Sequence, residues 1–260
     1  MLWALHPLQL TTVLYVVQRM NSLSAMFVFL GLLVFCRGRL LLITTPNRAL
    51  AMMYSGVVFG ALLGVGAKEN AALLPLFAFI IEYTLFQRDT LAPAAKKQLR
   101  WFYLLCAATP VSLFVGYLLV NPEFVTNAYA ERQFTLSERL LTQPRVLWFY
   151  LSLMLLPSTH RLGLFHDDIA ISTSLFTPLT TFPALTALMG MAAFLTWKAR
   201  KYPILSFAIL WFLTGHLLES SVFGLEMVYE HRNYMPSFGI LFGIIIGIVT
   251  LLRRIQIREI

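Results

Sequence analysis

The sequence predicts an all-α, polytopic transmembrane helical bundle, and three observations lead there. Of 260 residues, 58% are hydrophobic and 12% are charged, whereas an ordinary soluble domain has about 45–50% apolar and about 25% charged residues. The apolar residues lie in long continuous runs, each wide enough for hydrocarbon about 30 Å thick. The runs also lack the period-two alternation of a transmembrane barrel, which leaves helices as the element that satisfies every backbone group in lipid.

Seven runs qualify as spans, at about 22–36, 50–66, 71–86, 101–120, 180–197, 203–218 and 238–252. Ahead of them, residues 1–5 read as the last turn of a further span, so the chain is expected to begin in the middle of a fold. His6-Pro7 and a short apolar stretch, 10–17, are then expected along the outer surface. Gly56, Gly60 and Gly64 share one helix face, as do Gly239, Gly243 and Gly247. Small residues at this spacing let backbones approach closely, most simply inside the bundle, with homodimerisation as the alternative use. Glu82 lies near the cytoplasmic end of its span and is expected to pair with Arg88 or to reach the interface, with a proton path marked by Glu82 and Tyr83 as the alternative.

The run 146–157 is too short to cross and reads as re-entrant or interfacial. Before it, 135–141 is amphipathic, with Leu136, Leu140 and Leu141 on the apolar side and Glu138 and Arg139 on the polar side. The expected organisation is a single membrane domain, 1–260, with an external elaboration at about 121–178 that ends in a polar loop.

Charge orients the bundle. Arg37, Arg39 and Arg48, then Arg88, Lys96, Lys97 and Arg100, then Lys198, Arg200 and Lys201, then Arg253, Arg254 and Arg258 form four short segments. The positive-inside rule places these in the cytoplasm, so the remaining segments, which hold all five histidines, face outward. The net charge of +8 is therefore topological, and no nucleic-acid partner is expected. Cys36 and Cys106 lie in apolar runs and read as packing residues.

Ionisable groups near a membrane are costly and are site candidates by default. Four outward clusters carry them: His6 with Arg19; Lys68-Glu69-Asn70; the external region with Arg132, Arg139, Arg145, His160, Arg161, His166, Asp167 and Asp168; and Glu219, Glu226 and the run from Glu230 to Tyr234. Lys68 and Glu69 read either as an interfacial ion pair or as a headgroup site. Arg232 and His231 stand where a helix N-terminus favours an anion. Lys68, His231 and Arg232 are expected to converge on one anionic pocket that also receives Arg19 or Arg145, with a structural ion-pair network as the competing reading. A positioned carboxylate suffices as general base, and Glu69, Asp167, Asp168 and Glu230 are the candidates. His166-Asp167-Asp168 offers metal-ligand chemistry, but adjacent residues rarely converge on one ion; no cofactor is expected, with a divalent metal at these residues as the alternative. No phosphate-binding glycine loop, HExxH motif or nucleophile elbow occurs.

Several motifs fall in a familiar order. Ala4-Leu5-His6-Pro7-Leu8-Gln9, Val13 to Arg19, Lys68-Glu69-Asn70 with Pro75, Leu141 to Val146 with Tyr150, Leu156-Pro157, His166-Asp167 and the closing Glu230-His231-Arg232-Asn233-Tyr234-Met235-Pro236-Ser237-Phe238-Gly239 span nearly the whole chain. Together they resemble GT-C-type polytopic membrane proteins, a broad family that includes bacterial TPR-associated membrane proteins and eukaryotic transmembrane-and-TPR O-mannosyltransferases. The resemblance implies a partial GT-C-like core that moves a sugar from a polyprenyl-phosphate carrier to a protein or glycan hydroxyl on the non-cytoplasmic face. It implies an integral protein of the bacterial inner membrane, surrounded by lipid, with its site toward the periplasm. His6, Arg19, Lys68, Arg145, His231, Arg232 and Tyr234 would bind the substrate. The family's catalytic acid on its first external loop, and its TPR repeats, have no counterpart between Met1 and Ile260, so a truncated and inactive piece is also left open. A non-catalytic membrane assembly subunit and a lipid-linked sugar transporter are the alternatives.

Overall fold

The structure is a computed structural model that describes residues 1–86, 91–158, 160–163, 166 and 169–258. Among these the chain is helical, and its extended pairing is an isolated bridge between Ser174 and Thr177. Among the described residues four helices are long and apolar enough to cross a membrane: Val16–Leu41, Pro46–Val65, Pro93–Val120 and Pro236–Ile255. The runs at 180–197 and 203–218 form shorter apolar helices, Thr181–Trp197 and Pro203–Gly215. The run at 71–86 is divided into a 3₁₀ turn, Glu69–Leu73, and an 11-residue helix, Leu74–Thr84.

The residues form two compact units. One is Val17–Arg132; the other joins Met1–Val16 to Gln133–Ile260. The first contains α1 (Arg19–Leu41), α2 (Pro46–Val65), α3 (Leu74–Thr84) and α4 (Pro93–Val120). Prolines open α2, α3 and α4, where a missing N–H costs nothing and the fixed φ suits the first turn. At the crossing of α1 and α2 the backbones nearly touch. A Cβ on Gly31 would lie 2.5 Å from the Gly56 carbonyl oxygen, and one on Gly56 would lie 2.6 Å from that of Gly31. The Gly56 stripe is thus spent on packing within this unit, against a glycine of α1.

Arg39 and Glu82 correct the sequence reading. Arg39 is buried rather than a cytoplasmic surface cation, and Glu82, 0% exposed, receives its Nε and Nη2 at 2.5 and 2.9 Å. Arg88 lies outside the described residues. A carboxylate sealed in an apolar bundle needs a bidentate cation to offset desolvation, and α1 supplies one across the unit. The Arg39 guanidinium also sits 4.8 Å from the Phe86 ring centroid.

The second unit contains α5 (Leu136–Leu155), α6 (Thr181–Trp197), α7 (Pro203–Gly215) and α8 (Pro236–Arg258). Thr135 and Glu138 form a capping box that starts α5, each side chain serving the other's backbone N–H. The Thr135 N–H and hydroxyl hold the exposed Glu138 carboxyl below its ordinary range. α7 and α8 run antiparallel and close: a Cβ on Gly239 would lie 2.7 Å from the Trp211 Cβ, and one on Gly243 would lie 2.9 Å from the Ala208 Cβ. Val146, Tyr150, Leu153, Phe212, Ile240 and Leu8 meet in the core. The opening residues are tied in by Trp3 Nε1 to the Tyr234 carbonyl (2.8 Å) and Gln9 Nε2 to Ser237 Oγ (2.8 Å).

The amphipathic reading of 135–141 is overturned at one residue. Arg139, expected on the polar outer side, is 0% exposed, while Leu140 is 44% exposed. Helical phase alone assigned Arg139 to solvent; a set of backbone acceptors draws it inward.

Candidate functional site

The candidate site is a buried polar cluster of the second unit, assembled from α5, the end of α7, the connection after α7 and the 3₁₀ turn Glu230–Asn233. Its hub is Arg139. The guanidinium donates to the carbonyl oxygens of Ser221 (3.2 Å), Glu226 (3.1 Å), Glu219 (2.5 Å) and Leu225. The connection after α7 has few regular backbone hydrogen bonds of its own, and buried carbonyls must be paired. Arg139 pairs them. One turn further along α5, Gln143 Nε2 donates to the Met227 carbonyl at 3.1 Å.

Arg232 approaches the same connection from its other end. Its Nη1 donates to the Glu226 carbonyl at 2.7 Å, its Nε lies 3.8 Å from Glu219 Oε2, and its guanidinium stacks over the Tyr229 ring at 5.1 Å. Tyr150 pins the strand-like backbone between them: its hydroxyl donates to the Tyr229 carbonyl (3.0 Å) and accepts from the Tyr229 N–H (2.9 Å). His216 stacks on Tyr150, with centroids 5.3 Å apart, and meets Phe212 edge-on. Among the described residues neither ring nitrogen of His216 makes a hydrogen bond.

Glu230 performs a different task from that of a poised base. Its Oε1 accepts from the Gly163 N–H (2.7 Å) and lies 3.1 Å from His166 Nε2, so the carboxylate anchors the loop after α5 to the 3₁₀ turn. His231 stacks on Tyr229 at 4.9 Å, and Tyr234 offers its backbone carbonyl and its ring to Trp3. His6 is buried. Its Nδ1 accepts from the Leu8 N–H (3.3 Å) and its Nε2 faces the Met154 carbonyl (3.2 Å), a pattern that requires the neutral Nε2–H tautomer. Burial lowers its pKa, against the raising effect of the Met154 bond.

Arg145 stands apart from this cluster. Its Nη1 donates to the Ala170 carbonyl (2.6 Å) and Ser172 Oγ (3.2 Å), which leaves the guanidinium half-buried at the edge of a cleft of about 510 Å³. Trp148, Phe149, Ile169 and Pro183 give that cleft apolar walls, with Thr180 at its margin. The Trp148 indole is held by a bond to the Ala184 carbonyl at 3.0 Å.

Three predicted residues belong to the other unit, Val17–Arg132. Lys68 Nζ donates to Asn21 Oδ1 at 2.6 Å, and Asn21 Nδ2 donates to Gln18 Oε1 at 2.7 Å. Glu69 and Arg19 are exposed. Asp167 and Asp168 lie outside the described residues, and among the described residues no group of three His, Cys, Asp or Glu side chains could hold a metal.

Tyr150, His216 and Gln143 went unrecognised as site residues. Tyr150 falls in the motif order set out above but with no role attached to it, whereas His216 carries no signal, because it sits in an apolar run and reads as core. Gln143 had one, since an amide beside Thr142 in an otherwise amphipathic helix requires buried partners. Compared with known proteins, the chain matches no family model, no curated sequence and no solved structure.

Proposed function

We propose that this chain is the core of a GT-C-like membrane glycosyltransferase that takes a sugar from a polyprenyl-phosphate carrier and passes it to a protein or glycan hydroxyl on the non-cytoplasmic face. In this reading the bundle crosses a bacterial inner membrane seven times, counting the shorter apolar helices, and its site faces the periplasm. The observation that carries the reading is Arg145: a half-buried guanidinium at the edge of a cleft that is otherwise nearly all apolar. A phosphate on a hydrocarbon chain matches both features, since a planar guanidinium binds phosphate through paired hydrogen bonds while the walls receive the chain. Transfer with inversion places the acceptor oxygen on the anomeric carbon as the carrier phosphate departs, and one carboxylate takes the hydroxyl proton.

The test uses the full chain in lipid nanodiscs. Polyprenyl phosphate is expected to bind more tightly than polyprenol, with Arg145→Gln erasing that difference, and labelled sugar should move from the carrier to a membrane acceptor. Equal binding of the phosphate and the alcohol would refute the reading. For topology, a reporter fused at Lys97 should be cytoplasmic, and cysteines at the exposed Ser137 and Ser174 should both react with an impermeant reagent from the outer side. Opposite sidedness would overturn the seven-span map.

One observation favours a second reading, a non-catalytic assembly subunit. Arg139 is consumed by four backbone carbonyls and Glu230 by Gly163 and His166, as in a cluster built for rigidity. Retained membrane assembly with no sugar transfer by the full chain would select it.

A further inference from the structure

We propose that a second groove of the unit formed by Met1–Val16 and Gln133–Ile260 holds an acyl chain of an anionic phospholipid, with the lipid phosphate on Arg161. The groove has a volume of about 610 Å³ and opens among α5, α6, α7 and α8. That volume falls within the range of about 300–1,000 Å³ typical of ligand sites. Leu151, Leu155, Ile209 and Ile244 give it aliphatic walls, and Ser152 brings the one hydroxyl. The hydroxyl is where charge enters. Arg161 Nη2 donates to Ser152 Oγ at 2.7 Å, while the guanidinium lies 5.2 Å from the Phe149 ring centroid. An exposed arginine is thereby fixed at the wall of a hydrocarbon groove. Its other N–H groups have no protein acceptor among the described residues.

Two further features bear on the occupant. Leu155 is 57% exposed and Leu205 is 53% exposed, so the groove opens along its flank instead of closing into a core. Gly247 lines it, and a Cβ added there would meet nothing within 4 Å, in contrast to Gly239 and Gly243 of the same stripe, which are filled by α7. The third glycine of the stripe therefore faces groove space. α8 contributes Ile240, Gly243, Ile244 and Gly247 from a helix long and apolar enough to span a membrane, so the groove meets lipid chains. A cation at the rim selects a lipid with net negative charge, because basic groups next to membrane helices attract anionic headgroups. The site is separate from the Arg145 cleft, although Trp148 lines both, and the proposal does not depend on the glycosyltransferase reading.

The full chain in neutral detergent, titrated with phosphatidylglycerol, phosphatidylcholine and polyprenyl phosphate and read by native mass spectrometry, tests it. The parent should retain phosphatidylglycerol about fivefold better than phosphatidylcholine of the same chains, the factor expected from one basic residue near an anionic headgroup. Arg161→Gln should remove this preference. Gly247→Leu should fill the groove and lower retention of both phospholipids, and Gly247→Val provides a smaller plug if the leucine variant unfolds. Equal retention of the two phospholipids by the parent, or parent-like retention of phosphatidylglycerol by both a folded Arg161 variant and a folded Gly247 variant, would overturn the proposal. If Arg161→Gln abolishes polyprenyl-phosphate binding while Arg145→Gln preserves it, the groove is the carrier's own and the phospholipid assignment is wrong. Loss of polyprenyl phosphate in Arg145→Gln with phosphatidylglycerol retained keeps the two sites distinct.

Discussion

Replacing Arg139 by Met removes the hub of the buried cluster while preserving most of its volume. Arg139 is 0% exposed and serves the carbonyls of Glu219, Ser221, Leu225 and Glu226, so the substitution orphans buried acceptors along one connection. Hydrogen bonds to charged groups contribute about 1.5–3 kcal/mol each, but four carbonyls on one connection relax together and their losses do not add. Removing one member of a buried charged network costs about 3–5 kcal/mol. At roughly 2–4 °C per kcal/mol for a chain of this size, the midpoint should fall by about 6–20 °C. The assay is tryptophan-monitored thermal unfolding in detergent, with hydrogen exchange over 219–227 as the local readout. Arg139→Lys should fall less, since one ammonium keeps the charge but cannot span the same set of carbonyls. A midpoint for Arg139→Met within about 2 °C of the parent, with unchanged exchange over 219–227, would refute the view that Arg139 organises the connection. Normal unfolding with lost polyprenyl-phosphate binding would make it a ligand contact instead.

At the α1–α2 crossing, Gly31→Ala should destabilise the Val17–Arg132 unit by about 1–3 kcal/mol, since its new methyl would sit 2.5 Å from the Gly56 carbonyl oxygen. Gly116→Ala, where a Cβ meets nothing within 4 Å, should be neutral or stabilising; equal midpoints for the two variants would count against a backbone-contact crossing. His6 makes stability pH-dependent. Its folded pKa lies below the ordinary value of 6.5 because burial disfavours the charged ring, so the unfolded chain binds the proton more readily. Its contribution is present above about pH 6.5 and is lost as the pH falls toward the lowered folded value. His6→Gln should flatten the acid arm of midpoint against pH below about 6.5, and an unchanged acid arm would show that His6 is not the group responsible.

The class of structure follows from composition and hydropathy along the chain. Continuous apolar runs without alternation admit helices in lipid, and the described residues are helical along them, but four of the helices are long and apolar enough to span and the run at 71–86 is broken by a 3₁₀ turn. The glycine stripes were legible too, because spacing in a helix dictates which residues share a face. What each stripe touches was not: Gly56 meets Gly31, Gly239 meets Trp211, and Gly247 faces open groove, although all sit in similar patterns. The polar residues were legible as site candidates and illegible as to partner. Glu82 is near Arg88 in sequence but takes Arg39, and Arg139 sits among polar neighbours but turns inward to carbonyls about 80 residues away. The reason is physical. Helix formation and membrane insertion follow local hydropathy, which a linear sequence records, whereas a buried charge goes to whichever donors or acceptors the tertiary fold leaves unpaired. Only the folded chain decides which those are.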